Sequence, residues 1–157
     1  MNGRRAAGAA DFDAFVVAHQ DRVRRALVPV AGADAAREAT VDGLVHVWQH
    51  WDRVAAMANP AGYLYTVARS RVRHERRTAG VLPEELVGPA EEPTTEPALV
   101  GLLANLPERQ KVAVYLVHGC GWSAPDVADL LGISATTVRT HAERGLARLR
   151  RHLEVAP

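Results

Sequence analysis

The stretch Leu130 to Leu153, LLGISATTVRTHAERGLARLRRHL, decides the fold. Its first part is apolar and holds a glycine, and its second part carries five arginines and one glutamate. A helix-turn-helix joins two short helices at a steep angle through a tight turn. It needs a small residue where the helices touch, a glycine in the turn and apolar anchors. Ala128, Gly132 and Val138 meet those needs. Ser123 is placed to cap SAPDVADLLG, with Pro125 in the first turn and Asp126 at the capping-box position. Gly132 supplies the left-handed residue at the helix end. Ser134 then caps the last helix.

On a helical wheel at about 100° per residue, residues 134–153 split into two faces. Val138, Ala142, Leu146, Leu149 and Leu153 fall on one face. Thr136, Arg139, Thr140, Arg144, Arg150 and Arg151 fall on the other, with His141 and Arg148 at the edge. The apolar stripe is expected to dock on the preceding helices. Ser134, Thr136 and Thr137 lie at the positive end of the helix dipole, which suits phosphate. Arg139 and Arg144 are long enough to reach base edges or phosphates in a major groove. The arginine stripe taken alone fits a solvated amphipathic helix equally well. Turn, caps and stripe together point to DNA.

Upstream, ALVGLLANL reads as a short apolar helix and PERQKVAVYLVHG as a second, with Val112, Tyr115 and Leu116 inward. Before these lies GVLPEELVGPAEEPTTEP, residues 80–97, with four prolines and five glutamates. That composition makes an extended, self-repelling linker, so two independent bodies on a tether are expected. Residues 1–80 carry 12 basic and 8 acidic side chains, and residues 98–157 carry 7 and 5, so two mildly basic blocks flank an acidic spacer. Only one of the 19 basic residues is a lysine. Arginine suits bidentate phosphate contacts, but a GC-rich genome produces the same bias.

The first block is also read as helical. Residues 11–28 place Phe12, Phe15, Val16, Val23 and Leu27 at helical spacing, with Pro29 and Gly32 as punctuation. Residues 34–51 put Val41, Leu44, Val45 and Trp48 on one stripe, expected to be buried, with Asp34 as N-cap. Asn59 and Pro60 make a helix start, and Leu64, Val67, Ala68 and Val72 give the third helix its apolar stripe. Within it, ARSRVRHERR holds five arginines and follows Tyr63 and Tyr65. Aromatics beside arginines can serve unstacked bases, although each ring singly is as well explained by the core, as are Trp48 and Trp51. The fold expected is all-α: two small helical domains, 11–79 and 98–157, the second a helix-turn-helix of winged-helix-like type. Residues 1–10 are read as a disordered arm.

Other function classes find little support. Cys120 is the only cysteine, which rules out an intrachain disulfide and a cysteine-rich zinc site and fits a reducing cytoplasm. The seven histidines form no metal-ligand pattern, and no glycine-rich phosphate loop appears. His118 and Cys120 lie two residues apart without a further base or ligand. Neither an enzyme nor a bound cofactor or metal is expected. No apolar run approaches membrane-spanning length, so no membrane insertion is expected. The N-terminus lacks a signal peptide's apolar core.

The layout resembles the bacterial RNA polymerase sigma factors of the extracytoplasmic-function group, from about residue 12 to 153. LPERQ, LGIS and TVR in combination look like that group's fourth conserved region. The family pattern carries over to Thr137, Val138, Arg139, Thr140 and Arg144, and with the polar face described above the expected −35 contacts are Ser134, Thr136, Thr137, Arg139, Thr140, His141 and Arg144. His141 stands where the family usually has arginine. DAAREATVDGLVHVWQHWDRV resembles the second region, and implies that Arg37, Glu38, Asp42 and His46 meet a coiled coil of core RNA polymerase. Glu38 replaces the usual aspartate and Val41 the usual glutamine. NPAGYLYTVARSRVRHERR resembles the part that reads and opens the −10 element. This assigns Asn59, Tyr63, Arg69, Ser70, Arg73, Arg76 and Arg77 to promoter DNA, with Ser70 where the family often has asparagine. The implied partners are core polymerase, promoter DNA and, for some members, an anti-sigma factor. Two other readings stand beside this one: a helix-turn-helix regulator that no longer activates polymerase, and a decoy that binds an anti-sigma factor.

Overall fold

The computed structural model describes residues 2–79 and 97–155. Most of the expected 80–97 linker lies outside the described residues. Among the described residues the α-helices follow in order: α1 Asn2–Ala31, α2 Ala33–Gln49, α3 Trp51–Ala55, α4 Pro60–Ala79, α5 Pro97–Ala104, α6 Glu108–Val114, α7 Ala124–Leu131 and α8 Ala135–Val155. A π-helical turn, Tyr115–Gly119, extends α6 and closes with Cys120 N–H on the Tyr115 carbonyl at 2.9 Å. No strand occurs among the described residues, so the second block has a helix-turn-helix without a wing.

Helix α1 departs from expectation at both ends. It begins at Asn2 rather than near residue 11, so residues 2–10 are helical instead of a loose arm. Ala6, Ala7, Ala9 and Ala10 are strong helix formers, and extending an existing helix avoids the cost of a new nucleus. Pro29 lies inside the helix, which runs on to Ala31. Proline removes one backbone hydrogen bond and crowds the preceding turn. Burial of Val30 and Ala31 just beyond it offsets that loss.

The expected apolar stripe of α2 is on the wrong side. The buried residues are Ala36, Ala39, Thr40, Gly43 and Val47. Leu44 is only partly buried, and Val41, Val45 and Trp48 are 54%, 51% and 48% exposed. The reason is the closeness of α4. A Cβ on Gly43 would sit 3.0 Å from Leu64 Cδ1 and 3.2 Å from Ala68 Cβ. Small side chains let the two helices meet, and the larger apolar ones turn outward. Thr40 satisfies its buried hydroxyl by donating to the Ala36 carbonyl at 2.7 Å. Gly32, with φ 85°, takes the N-cap place expected for Asp34, which lies inside the first turn.

The remaining elements follow the sequence closely. Leu64, Ala68 and Val72 of α4 are buried against α1 and α2, with Val23, Leu27, Val47 and Val54. Burying each such Leu or Val contributes about 1.5–3 kcal/mol. In the second block, Leu103, Leu106, Val114 and Leu149 form a small core joining α5, α6 and α8. Gly145 lets α8 lie against α6: its Cβ would come within 2.5 Å of Val114 Cγ2 and 3.3 Å of the Gln110 carbonyl oxygen.

The two blocks are not separate bodies in this structure. Helix α1 packs on α6 and its π-turn, and α4 packs on α7. Leu27 and Leu64 of the first block belong to the same apolar cluster as Val112, Leu116, Val127 and Leu130 of the second. An acidic, proline-rich spacer in the sequence reveals nothing of this seam, because the seam joins residues far apart in the chain.

Candidate nucleic-acid and polymerase interface

The helix-turn-helix is built as its residues dictate. Ser123 Oγ accepts the Asp126 amide at 3.2 Å and starts α7. Gly132 ends it at φ 68°, a conformation that costs other residues steric strain. Ser134 Oγ accepts the Thr137 amide at 3.0 Å and pairs with the Thr137 hydroxyl at 2.7 Å. Val138 is fully buried and anchors the start of α8 against α7. Ala142, Gly145 and Leu149 continue the buried stripe, while Leu153 at its end is 60% exposed.

The opposite face of α8 is open. Ser134, Thr136, Arg139 and Arg144 are exposed, followed by Arg148, Arg150 and Arg151. Thr137 and Thr140 are half-buried, and Thr140 donates to the Thr136 carbonyl at 3.0 Å. Their hydroxyls therefore already have partners within the helix. His141 is half-buried, and its Nδ1 is enclosed without a hydrogen-bond partner. Burial, then the charges of Arg109 and Arg144, hold its pKa below the ordinary histidine value. Its ring lies at the edge of the exposed arginine face.

The arginine-rich face of α4 has a different fate. Asn59 Oδ1 accepts the Gly62 amide at 2.9 Å, capping the helix as expected. Its Nδ2 donates to the Asp129 carbonyl of α7, a link to the other block. Arg69 and Arg73 both bind the carboxylate of Glu108 on α6, Arg73 at 3.2 Å. Arg76 is half-buried with Nε unpartnered, and burial lowers its pKa. Tyr63 is half-buried, its hydroxyl shared between His46 Nε2 at 3.1 Å and Arg53 at 3.3 Å. Tyr65 is a core residue, with its phenol pushed up to about 12 by burial and then by Glu108. Ser70 and Arg77 are exposed.

On α2, Arg37, Glu38 and Asp42 are exposed. His46 is turned toward Tyr63 and stacked beside His50 at 4.6 Å, so its Nε2 serves the fold. Its pKa is lowered by burial, then by His50, Arg71 and Arg53. The exposed face gains Val41, Val45 and Trp48, which were assigned to the core from the sequence. The signal that could have placed them outside is the run of small residues Ala36, Ala39, Thr40 and Gly43. Trp48 is held by Phe12, ring centroids 4.8 Å apart. Among the described residues no cluster of His, Cys, Asp or Glu could hold a metal ion, and no helix is long and apolar enough to cross a membrane.

Comparison with known proteins converges on one family. The pattern of sigma-70 region 4 matches residues 98–149. The RNA polymerase sigma-E factor of Streptomyces avermitilis is 31% identical over 92% of this chain and 86% of its own. The ECF RNA polymerase sigma factor SigL of Mycobacterium tuberculosis is 29% identical over 98% of this chain and 95% of its own. The fold also resembles the sigma factor RpoE of Bartonella quintana, solved in complex with the anti-sigma factor NepR. That match has a TM-score of 0.63 and 22% identity, covering 94% of this chain and 99% of that one. With a helix-turn-helix, a second arginine-rich helix and near full-length similarity to such relatives, the chain belongs to the extracytoplasmic-function group of RNA polymerase sigma factors.

Proposed function

We propose that three surfaces divide the work of a promoter-specificity subunit of RNA polymerase. Helix α8 reads the −35 duplex through Arg139 and Arg144, with Ser134 and Thr136 placed for backbone phosphate. Helix α4 receives the unpaired −10 strand along Ser70, Arg73 and Arg77, with Arg69 and Arg76 beside them. The outer face of α2, with Arg37, Glu38, Val41, Asp42, Val45 and Trp48, docks on core polymerase. The protein performs no bond chemistry in this scheme; it supplies binding energy and register.

The observation that carries the reading is the outer face of α2. A helix in the middle of the first block leaves three apolar side chains, i, i+4 and i+7, exposed beside two carboxylates. Aromatic and aliphatic anchors supply interface energy, and complementary charges set register and association rate. This favours the polymerase-binding reading over a regulator that acts on DNA alone. An anti-sigma factor, of the kind bound to the structurally similar RpoE, is a second protein partner for the same chain. Run-off transcription with purified core polymerase and a genomic promoter library tests the reading. Promoter-dependent transcripts support it, and DNA binding without any transcript assigns the chain to the regulator class.

A further inference from the structure

A second cationic cluster lies on the far side of α4 from Glu108. Arg71 follows Arg69 by two residues, about 200° further round the helix, and its charge acts on His46 of α2. There His46 and His50 stack with ring centroids 4.6 Å apart. Tyr63 Oη lies 3.1 Å from His46 Nε2 and receives the Arg53 guanidinium at 3.3 Å. His50, Arg53 and Arg71 are exposed, and His46 and Tyr63 are half-buried. Arg69 and Arg73 have the Glu108 carboxylate as partner. Among the described residues neither Arg53 nor Arg71 forms an ion pair. Asp42 stands one turn before His46, and Asp52 beside Arg53, yet neither is among the charges that act on the His46 ring. Two arginines, two imidazoles and a phenol thus share a corner that holds no acid.

We propose that His46, His50, Arg53, Tyr63 and Arg71 form a proton-linked phosphate site: the corner holds one backbone phosphate of the unpaired −10 strand, and holds it more tightly once His46 takes up a proton. The inference rests on the assignment of α4 to that strand, and it adds His50, Arg53 and Arg71 to the contacts. Ser70 follows Tyr63 by seven residues, two helical turns, and so stands on the same face. A strand laid along Ser70 and Arg77 therefore runs past the corner.

The hydrogen bonds define how the proton acts. A guanidinium only donates, so the Tyr63 oxygen accepts from Arg53 and its own hydrogen falls to the neutral His46 ring. A carbonyl only accepts, so His50 uses its Nδ1–H on the His46 carbonyl at 2.9 Å, which fixes the orientation of its ring. Once protonated, His46 no longer accepts. The Tyr63 hydrogen is then released to a phosphate oxygen, and every polar group of the corner donates. Without an anion that state is opposed: burial, then the charges of His50, Arg71 and Arg53, lower the His46 pKa. The facing groups are Arg53 from α3, Arg71 and the Tyr63 phenol from α4, and His50 from α2 itself, while α1 adds no charge. A bound phosphate supplies the missing negative charge and favours the protonated ring. Proton and phosphate therefore strengthen each other by the same factor. The sign follows from linkage. Well above the ordinary histidine value the ring is neutral with or without phosphate, and affinity is flat. As pH falls through the value raised by phosphate, affinity climbs, and it levels off once the free chain is protonated as well.

The test titrates the full chain with rhodamine-labelled oligothymidylate, whose bases do not ionise across the histidine range, at about pH 8 and about pH 5.5 and at fixed ionic strength. Circular dichroism at both pH values confirms folding of each variant. The unmodified chain should bind about tenfold more tightly at the lower pH, the order expected of one added charge-assisted contact. His46→Gln with His50→Gln should bind alike at the two pH values. His118→Gln, in the π-turn, should keep the full pH dependence. Arg71→Gln should weaken binding at both and lower the salt slope by about 0.7, the share of one phosphate on a single strand. The His46 ring-proton resonance should titrate at higher pH with the oligonucleotide than without it. The proposal is overturned if the double histidine variant keeps the pH dependence, if the unmodified chain binds equally at both pH values, or if the His46 titration does not move on binding. The assignment of α4 fails separately: Ser70→Ala with Arg77→Ala, in reconstituted polymerase, would then leave promoter opening undiminished.

Discussion

Helices α4 and α8 look alike in the sequence and behave differently in the structure. Each is amphipathic, each carries five arginines, and each has a buried Val, Leu and Ala stripe. On α8, the exposed arginines line a solvent-facing surface. On α4, Arg69 and Arg73 are taken by a carboxylate 35 or more residues away in the chain. Counting arginines on a wheel reveals which side of a helix is polar. It does not reveal what that side meets, because the competing acid arrives from another element.

The comparison can be broken at its two arginine faces and at the outer face of α2. The largest effect is expected for joint charge reversal of Glu38 and Asp42. Placing cations where a basic partner surface is expected should weaken core polymerase association on the order of a hundredfold. Duplex binding by α8 should remain. A fluorescence titration against core polymerase checks this, and unchanged affinity would place the docking surface elsewhere.

Next come Arg139→Ala and Arg144→Ala, measured by anisotropy on promoter duplex. Each should cost about 1–3 kcal/mol on the cognate sequence if it reads a base. If either touches only phosphate, the loss will be the same on every sequence and the salt slope will fall by about one. No change in either variant would remove α8 as the reading helix and with it the contrast to α4.

Gly145→Ala tests whether α8 is positioned by its back as well as its face. The added methyl would collide with Val114 and approach the Gln110 carbonyl. We expect a loss of about 1–3 kcal/mol in thermal unfolding, the usual cost of overpacking. An unchanged midpoint would show that α6 yields easily.

A smaller effect is expected at the caps. Ser134→Ala removes the acceptor for the Thr137 amide and should cost about 1 kcal/mol of stability. The smallest is confined to alkaline solution. Tyr65 ionises at about 12, above the ordinary tyrosine value, because burial penalises the phenolate. Its contribution to stability is whole below the unfolded value and is lost as pH rises toward the folded one. An ultraviolet titration should show one late-ionising tyrosine that is absent in Tyr65→Phe.

Much of the architecture was legible because it is written locally. Ser123, Gly132, Ser134, Asn59 and Pro60 set helix ends through bonds within a few residues, and all five sit where the sequence put them. The wheel of α8 holds from Val138 to Leu149, where the helix lies on one side of a small domain with its apolar residues inward, and fails at Leu153, which is exposed. The wheel of α2 was wrong for the opposite reason. It lies between α1 and α4, and close helix contact selects Gly43 and Ala39 over Val41, Val45 and Trp48. The alanine-rich start of α1 is helical although its composition alone suggests an arm, because composition does not show that a helix already formed downstream can be extended.

The sequence by itself determined that the chain is all-helical, that its C-terminal part is a helix-turn-helix, and that two of its helices present arginine faces. These follow from side-chain periodicity and capping, whose physics spans one or two turns. The tertiary structure alone decided which face of α2 is left exposed, that His141 and His46 are half-buried with their pKa values lowered by that burial, and that Glu108 holds Arg69 and Arg73. Those outcomes depend on interhelix distance, desolvation and charges brought together across the fold, and a linear pattern carries none of the three.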